Sequence, residues 1–205
     1  MDKDKWEEAY RETRRSSWLR KKRIKYLELN KRSKILDLGC GDGLNLQIFR
    51  NLGYTNLFAT DYSFDLVSKI KDFRVCVTDC RRLGFKSNSF DVIFVDSVLH
   101  HIDTDELSLA YEEIKRILRE GGNLCFFEPR DCLLRKLLDF LTLNYGACFG
   151  FLKNRKKSIE EEMYYYKKWL KSENLQTLLL EKLGLKVVKD MKLLIGRMVV
   201  CSKII

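Results

Sequence analysis

Apolar residues along this chain follow two alternating rhythms: short runs that suit buried strands, and longer stretches with apolar positions three and four residues apart that suit helices. The first pair begins after Lys34, where residues 35–38 form an apolar run ending at glycines and residues 44–52 form a helical stretch closed by Gly53. Residues 56–60 predict a second strand, Ser63 caps a helix through Ile70, and residues 73–77 alternate as a third strand. Residues 90–95, FDVIFV, predict a strongly apolar fourth strand. Asp103 and Glu106 have capping-box spacing before a helical face of Leu107, Ala110, Ile114 and Ile117, and Gly121-Gly122 is the expected helix stop. Residues 124–127 predict a fifth strand and residues 172–183 a last helix stopped by Gly184. The final strands, residues 186–194 and 197–203, are separated only by Ile195-Gly196 and therefore predict a hairpin. Strands and helices in alternation imply the α/β class, a doubly wound and mostly parallel sheet covered on both faces, with one antiparallel strand at its end.

The flanking segments carry different patterns. Residues 5–29 are rich in helix formers, with Trp6, Tyr10, Trp18 and Leu19 as apolar anchors. Leu133, Leu134, Leu137, Leu138 and Leu141 lie on one helical face, opposite Arg135, Asp139 and Thr142, and the apolar run continues through Tyr145, Phe149, Phe151 and Leu152. That face suits packing on the sheet, a lid over an apolar pocket, or a membrane surface. With no internal repeat and one proline, the 205 residues read as a single domain: a helical cap over 1–32, a core over 33–129, an insert over 130–171, and a last helix with the hairpin over 172–205.

Composition narrows the classes. A hydrophobic content of 45% supports a real core. Seven cysteines without paired C-x-x-C spacing suit reduced, buried thiols in a cytoplasmic protein, and no ligand cluster for a metal is visible. The charged first residues do not resemble a secretory signal, and the longest charge-free stretch, residues 140–152, is shorter than the ~20 residues that span a bilayer. The net charge of +10 is uneven, with basic concentrations at residues 11–25 and 130–157 that favour nucleic acid, anionic lipid or anionic small molecules.

The chemistry concentrates in ILDLGCGDG, residues 35–43, which sets Gly39, Gly41 and Gly43, with Cys40 between the first two, on the turn from a strand to a helix. Such a turn brings backbone N–H groups close to a charged ligand. A dinucleotide loop would need a glycine where this chain has Leu44. Asp37 would repel a pyrophosphate and attract an ammonium group. A nucleoside bearing an amino acid therefore fits better than a nicotinamide dinucleotide. Asp61, ending the second strand, suits ribose hydroxyls, and Asp79, ending the third, suits an adenine amino group.

The order of these pieces resembles the class I S-adenosylmethionine-dependent methyltransferases, especially the ubiquinone-biosynthesis-like (methyltransferase type 11) group. ILDLGCGDG is similar to their first motif, ATDYS to their second-strand end, VTDC with SFDVIFVDSVLHHI to their middle motifs, and LREGGNLCFFEP to their last. The resemblance implies a Rossmann-like sheet of order 3-2-1-4-5-7-6 and S-adenosylmethionine as cofactor, with S-adenosylhomocysteine as product. It also implies roles: Asp37, Gly39, Cys40, Gly41 and Gly43 around the methionine half, Asp61 on the ribose, Tyr62 on the adenine face, Asp79 and Cys80 at its edge, and Ser97 beside the sulfonium. Trp6 and Tyr10 are candidates to cover the cofactor.

Methyl transfer needs alignment and exclusion of water more than a dedicated base. His100 is the candidate base and substrate contact, with Glu128 a second substrate contact. The favoured acceptor is small and apolar or lipid-like, with peripheral membrane contact as an accompanying expectation. VTDCRRL, SFDVIFVDSVLHHIDT and EIKRILREGG also resemble the tRNA wobble-uridine methyltransferases, and the basic segments would suit a phosphate backbone, although no recognised RNA-binding module accompanies them. A non-catalytic S-adenosylmethionine-binding module and a nicotinamide oxidoreductase are the other readings.

Overall fold

The computed structural model describes residues 17–145, 156 and 163–204. Its strands are β1 (Ile35–Leu38), β2 (Leu57–Asp61), β3 (Arg74–Val77), β4 (Phe90–Asp96), β5 (Leu118–Pro129), β6 (Leu185–Lys192) and β7 (Gly196–Lys203). The helices are α1 (Ser17–Tyr26), α2 (Leu44–Asn51), α3 (Phe64–Val67), α4 (Leu107–Ile117), α5 (Leu133–Tyr145) and α6 (Glu173–Lys182), with a 3-10 turn at Leu99–His101 and helical residues at 163–171. The strands form one seven-stranded sheet of order β3-β2-β1-β4-β5-β7-β6, parallel except where β7 runs antiparallel to both β5 and β6. This is the order that the resemblance implied, and the one antiparallel strand, β7, lies one place in from the edge strand β6.

Alternation along each strand divides the core. Leu36, Leu38, Ile93, Val95, Leu124 and Phe126 face the layer containing α4, Trp169 and Leu180. Their neighbours Ile35, Ala59, Val92, Phe94 and Cys125 face α2 and Ile24 of α1. With both faces covered, the central strands are buried almost end to end, whereas edge strand β6, buried only at Leu185, alternates half-buried and exposed positions.

Several local expectations change. Ser63 does cap α3, accepting from the Leu66 N–H at 3.2 Å, but the helix ends at Val67 rather than at Ile70. The Asp103/Glu106 pair forms no capping box: Asp103 pairs with Lys168, Glu106 with Arg81, and α4 starts without a side-chain cap. Long-range ion pairs take both carboxylates away from the helix end. Gly121-Gly122 does not stop α4, which runs from Ile117 straight into Leu118 of a longer β5. Phe90 pairs with Leu118 and Val92 with Asn123, so the glycines lie in a bulge where a Cβ on Gly122 would sit 2.8 Å from the Arg119 carbonyl oxygen. The hairpin turn is Leu193, Leu194 and Ile195 rather than Ile195-Gly196, because Gly196 opens β7, and the Leu193 N–H donates to the Gly196 carbonyl at 2.8 Å.

The leucine face of α5 packs neither on the sheet nor over the cavity. Leu133, Leu137 and Phe140 are 84%, 53% and 57% exposed, while Thr142 on the opposite face is fully buried. Trp6, Tyr10, Phe149, Phe151 and Leu152 lie outside the described residues.

Candidate functional site

A cavity of about 1070 Å³ opens at the carboxyl ends of β1 to β5, where open parallel sheets place ligands. Its floor is the turn between β1 and α2. Gly39, at φ 75°, carries no Cβ because one would lie 2.2 Å from Cγ2 of Val98. Thr60 of β2 accepts from the N–H groups of Gly39 and Cys40 at 2.7 and 3.0 Å, pinning the turn to the neighbouring strand. Gly39 and Cys40 line the cavity, whereas Gly41 and Gly43 shape the turn from behind it.

Asp61 tightens the same turn. Its carboxylate accepts from the Gly41 N–H at 2.8 Å and the Ser63 N–H at 2.9 Å, and it still lines the cavity. Tyr62 projects beside it, 63% exposed. Asp79 lines the cavity with its carboxylate clamped by Arg81, whose Nε donates at 2.9 and 3.1 Å and whose backbone N–H donates at 2.9 Å. The guanidinium holds that carboxyl below the usual range. Cys80 lies next to it, its thiol pushed up to about 12 by burial.

Asp37, within β1 just before the turn, is fully buried and is not among the residues that line the cavity, and neither carboxylate oxygen lies within hydrogen-bond distance of a partner. Burial, reinforced by Asp96, pushes its carboxyl up to about 8, while Arg20 and the Asn45 side chain pull the other way. A buried carboxylate without a partner just before a glycine turn fits the ammonium end of S-adenosylmethionine, because a cation there would relieve the desolvation.

At the end of β4, Ser97 adopts a left-handed conformation, φ 65°, and its N–H donates to Phe127 at 2.8 Å. This bends the chain so that Ser97 borders the cavity. Next to it, buried Asp96 is bridged by Arg20 at 2.5 Å and more loosely by Arg23 at 3.4 Å, both from α1, and Arg20 also reaches Asn45 at 3.0 Å. Arg23 lies 3.6 Å over the Phe127 ring. Sequence reasoning missed Asp96, Arg20, Arg23, Asn45 and Phe127. Asp96 carries the strand-end signal that singled out Asp61, and Arg20 and Arg23 are one helical turn apart within the basic segment 11–25.

His100 lines the cavity and is 3% exposed, its Nδ1 2.6 Å from Oε2 of Glu128. The other carboxylate oxygen of Glu128 accepts from the N–H groups of Val98 and Leu99, both at 2.8 Å. Glu128 is thus a buried cap for the 3-10 turn and does not line the cavity, which corrects its reading as a substrate contact. It orients His100 instead. His101 stacks on His100 with ring centroids 4.0 Å apart and also borders the cavity. Among the described residues no group of three or more His, Cys, Asp or Glu side chains gathers as metal ligands, and no helix is long and apolar enough to cross a membrane.

The sheet order, the reversed β7 and the ligand-facing turns define the class I S-adenosylmethionine-dependent methyltransferase fold, shared with a methyltransferase from Archaeoglobus fulgidus at a TM-score of 0.65 and 16% identity over 92% of this chain and 95% of that one. Residues 36–126 match the family described as a methyltransferase domain. It is similar to a tRNA (carboxymethyluridine(34)-5-O)-methyltransferase of Xenopus tropicalis, 31% identical over 102 residues, 48% of this chain and 16% of that protein. It is also similar to a malonyl-[acyl-carrier protein] O-methyltransferase of Hamiltonella defensa, 28% identical over 100 residues, 47% of this chain and 38% of that protein. The chain spans 16%, 43%, 5% and 54% of four curated relatives that it matches.

Proposed function

We propose that the protein transfers a methyl group from S-adenosylmethionine to a small apolar or lipid-like acceptor. The observation that carries the reading is Asp37, buried and without a partner just before a glycine turn that floors a large cavity. Asp37 and the turn at Gly39 and Cys40 would hold the amino-acid end, Asp61 the ribose, and Tyr62, Asp79 and Cys80 the adenine, with Ser97 at the sulfonium. The cofactor supplies an electrophilic methyl group whose transfer needs a nucleophile in line behind it.

The remaining wall supports an apolar acceptor. Phe127, Pro129, Leu193, Leu194 and Ile195 line it, and α1 closes it with Arg20 and Arg23. His100, held at Nδ1 by Glu128, is the residue that would take a proton from a hydroxyl or an ammonium acceptor. Water exclusion falls to the apolar wall and to α1.

Two measurements test this. Isothermal titration should show binding of S-adenosylmethionine and no response to NAD. Incubation with methyl-labelled cofactor and fractionated cell extract should place label in small, solvent-extractable molecules. Label confined to tRNA would replace the acceptor class with the one named for the Xenopus relative, and cofactor binding without turnover on any fraction would leave a silent binding module.

A further inference from the structure

Helix α5 stands in the reverse sense to a helix packed on a core in water. Its outward face carries Leu133, Leu137, Phe140 and Leu141, exposed by 84%, 53%, 57% and 38%, with Tyr145 at 50%. Its inward face carries Arg135, Asp139 and Thr142. Arg135 fixes this rotation: it donates to the Ile195 carbonyl at 3.1 Å, lies 4.2 Å over the Tyr166 ring and pairs with Asp139 at 3.6 Å. Turning the leucines inward would break the contacts with Ile195 and Tyr166 and carry the Arg135–Asp139 pair, which lies within the helix, round to solvent.

The patch continues past the helix. At its start, the Cys132 thiol meets the Leu194 carbonyl at 3.5 Å, and Leu194, 75% exposed, belongs both to this apolar surface and to the cavity wall. Across the same cavity, α1 contributes Leu19 and Lys22 to the wall, and its ten residues carry basic side chains and no acidic ones. Trp18, 60% exposed, stands beside them with the Lys22 ammonium 3.9 Å over its ring.

We propose that the outward face of α5, together with Leu194, docks the protein on an anionic lipid surface with the cavity mouth turned toward the lipid. An amphipathic helix with basic neighbours and a large aromatic side chain has the composition of an interfacial anchor. The net charge of +10 selects the occupant. A second copy laid on the same face would bring another +10 against it, whereas an anionic surface attracts these lysines and arginines. The docking goes beyond methyl transfer and rests on the exposed face, not on the cofactor reading.

The test is sedimentation of the full chain with vesicles of equal parts phosphatidylglycerol and phosphatidylcholine, and with vesicles of phosphatidylcholine alone. The wild type should sediment with the anionic vesicles, more weakly as salt rises, and the paired substitution Leu137→Glu and Phe140→Glu should lower that binding about tenfold or more. Leu178→Glu, on the 62% exposed Leu178 of α6, should leave it unchanged. Titration with S-adenosylhomocysteine, run on every variant, reads the cofactor site separately, so failure of docking and failure of the methyltransferase reading are told apart. The docking is overturned by absence of vesicle binding in the wild type, by equal binding of the wild type and the paired variant, or by equal binding to neutral vesicles. It is also overturned by a wild-type dimer that the paired substitution dissociates in the absence of lipid binding.

Discussion

The two ends of the cavity are built by different means. Where the resemblance places the cofactor, the backbone does the shaping: the turn after β1 is tied to Thr60 and Asp61, and Gly39 exists because no Cβ fits against Val98. At the opposite end, side chains on α1, α5 and the hairpin turn define the wall, and their placement depends on ion pairs and cation–π contacts such as Arg23 over Phe127 and Arg135 over Tyr166. A surface set by backbone tolerates few sequences, whereas one set by side chains on peripheral elements can change with each relative. The family match at residues 36–126 covers the first end and stops before α5.

The contrast is broken most directly at Gly39. Gly39→Ala places a Cβ 2.2 Å from Val98 on a left-handed backbone, so it should cost about 2–5 kcal/mol of stability from strain and overpacking and weaken S-adenosylhomocysteine binding. Gly53→Ala shares the left-handed backbone, φ 87°, but meets nothing within 4 Å, and should cost only about 1 kcal/mol and leave binding intact. Chemical unfolding of both variants, with titration, measures the difference. Equal losses would mean that backbone strain alone, and not the close approach, makes the turn.

Asp37 sharpens it next. Its carboxyl stands at about 8 when folded against an ordinary value of about 3.9, so the folded chain holds a proton that the unfolded chain has released between those values. Stability from this group therefore declines as pH rises through that window toward 8. Asp37→Asn removes that slope, and the variant's melting temperature should gain on the wild type between pH 6 and pH 8.5. Cofactor affinity should move oppositely: it should rise with pH in the wild type and fall about tenfold or more in the Asn variant at pH 8 if a carboxylate grips the ammonium. Parallel melting curves would show that Asp37 titrates normally.

Sequence patterns revealed the first end of the cavity far better than the second, for physical reasons. Strand ends and glycine turns are local, so Asp37, Gly39, Asp61 and Asp79 could be placed from spacing, and two late apolar runs separated by a turn suffice for a hairpin. Glu128 looked like one more strand-end carboxylate. Only the fold shows the backbone N–H groups of Val98 and Leu99 that it caps, because they lie 30 and 29 residues away in sequence. Asp103 and Glu106 had the spacing of a cap, but Lys168 and Arg81, distant in sequence, took their charges. Periodicity identified the apolar face of α5 correctly and says nothing about which way a face turns. Contacts of Arg135 with Ile195 and Tyr166 decided that.

The smallest effect belongs to that same helix and discriminates most finely between its readings. If the leucine row contributes to the core, truncating it should cost as much as truncating a buried leucine; Leu36→Ala, at a residue with no exposed surface, should cost about 2–5 kcal/mol. Leu137 is 53% exposed, and Leu137→Gln should change stability by less than about 0.5 kcal/mol in the absence of lipid. Chemical unfolding of the two variants side by side gives both values. A loss at Leu137 approaching that at Leu36 would mean that the apolar row is covered within the chain in solution, and the division between a backbone-built end of the cavity and an outward-facing rim set by side chains would no longer hold.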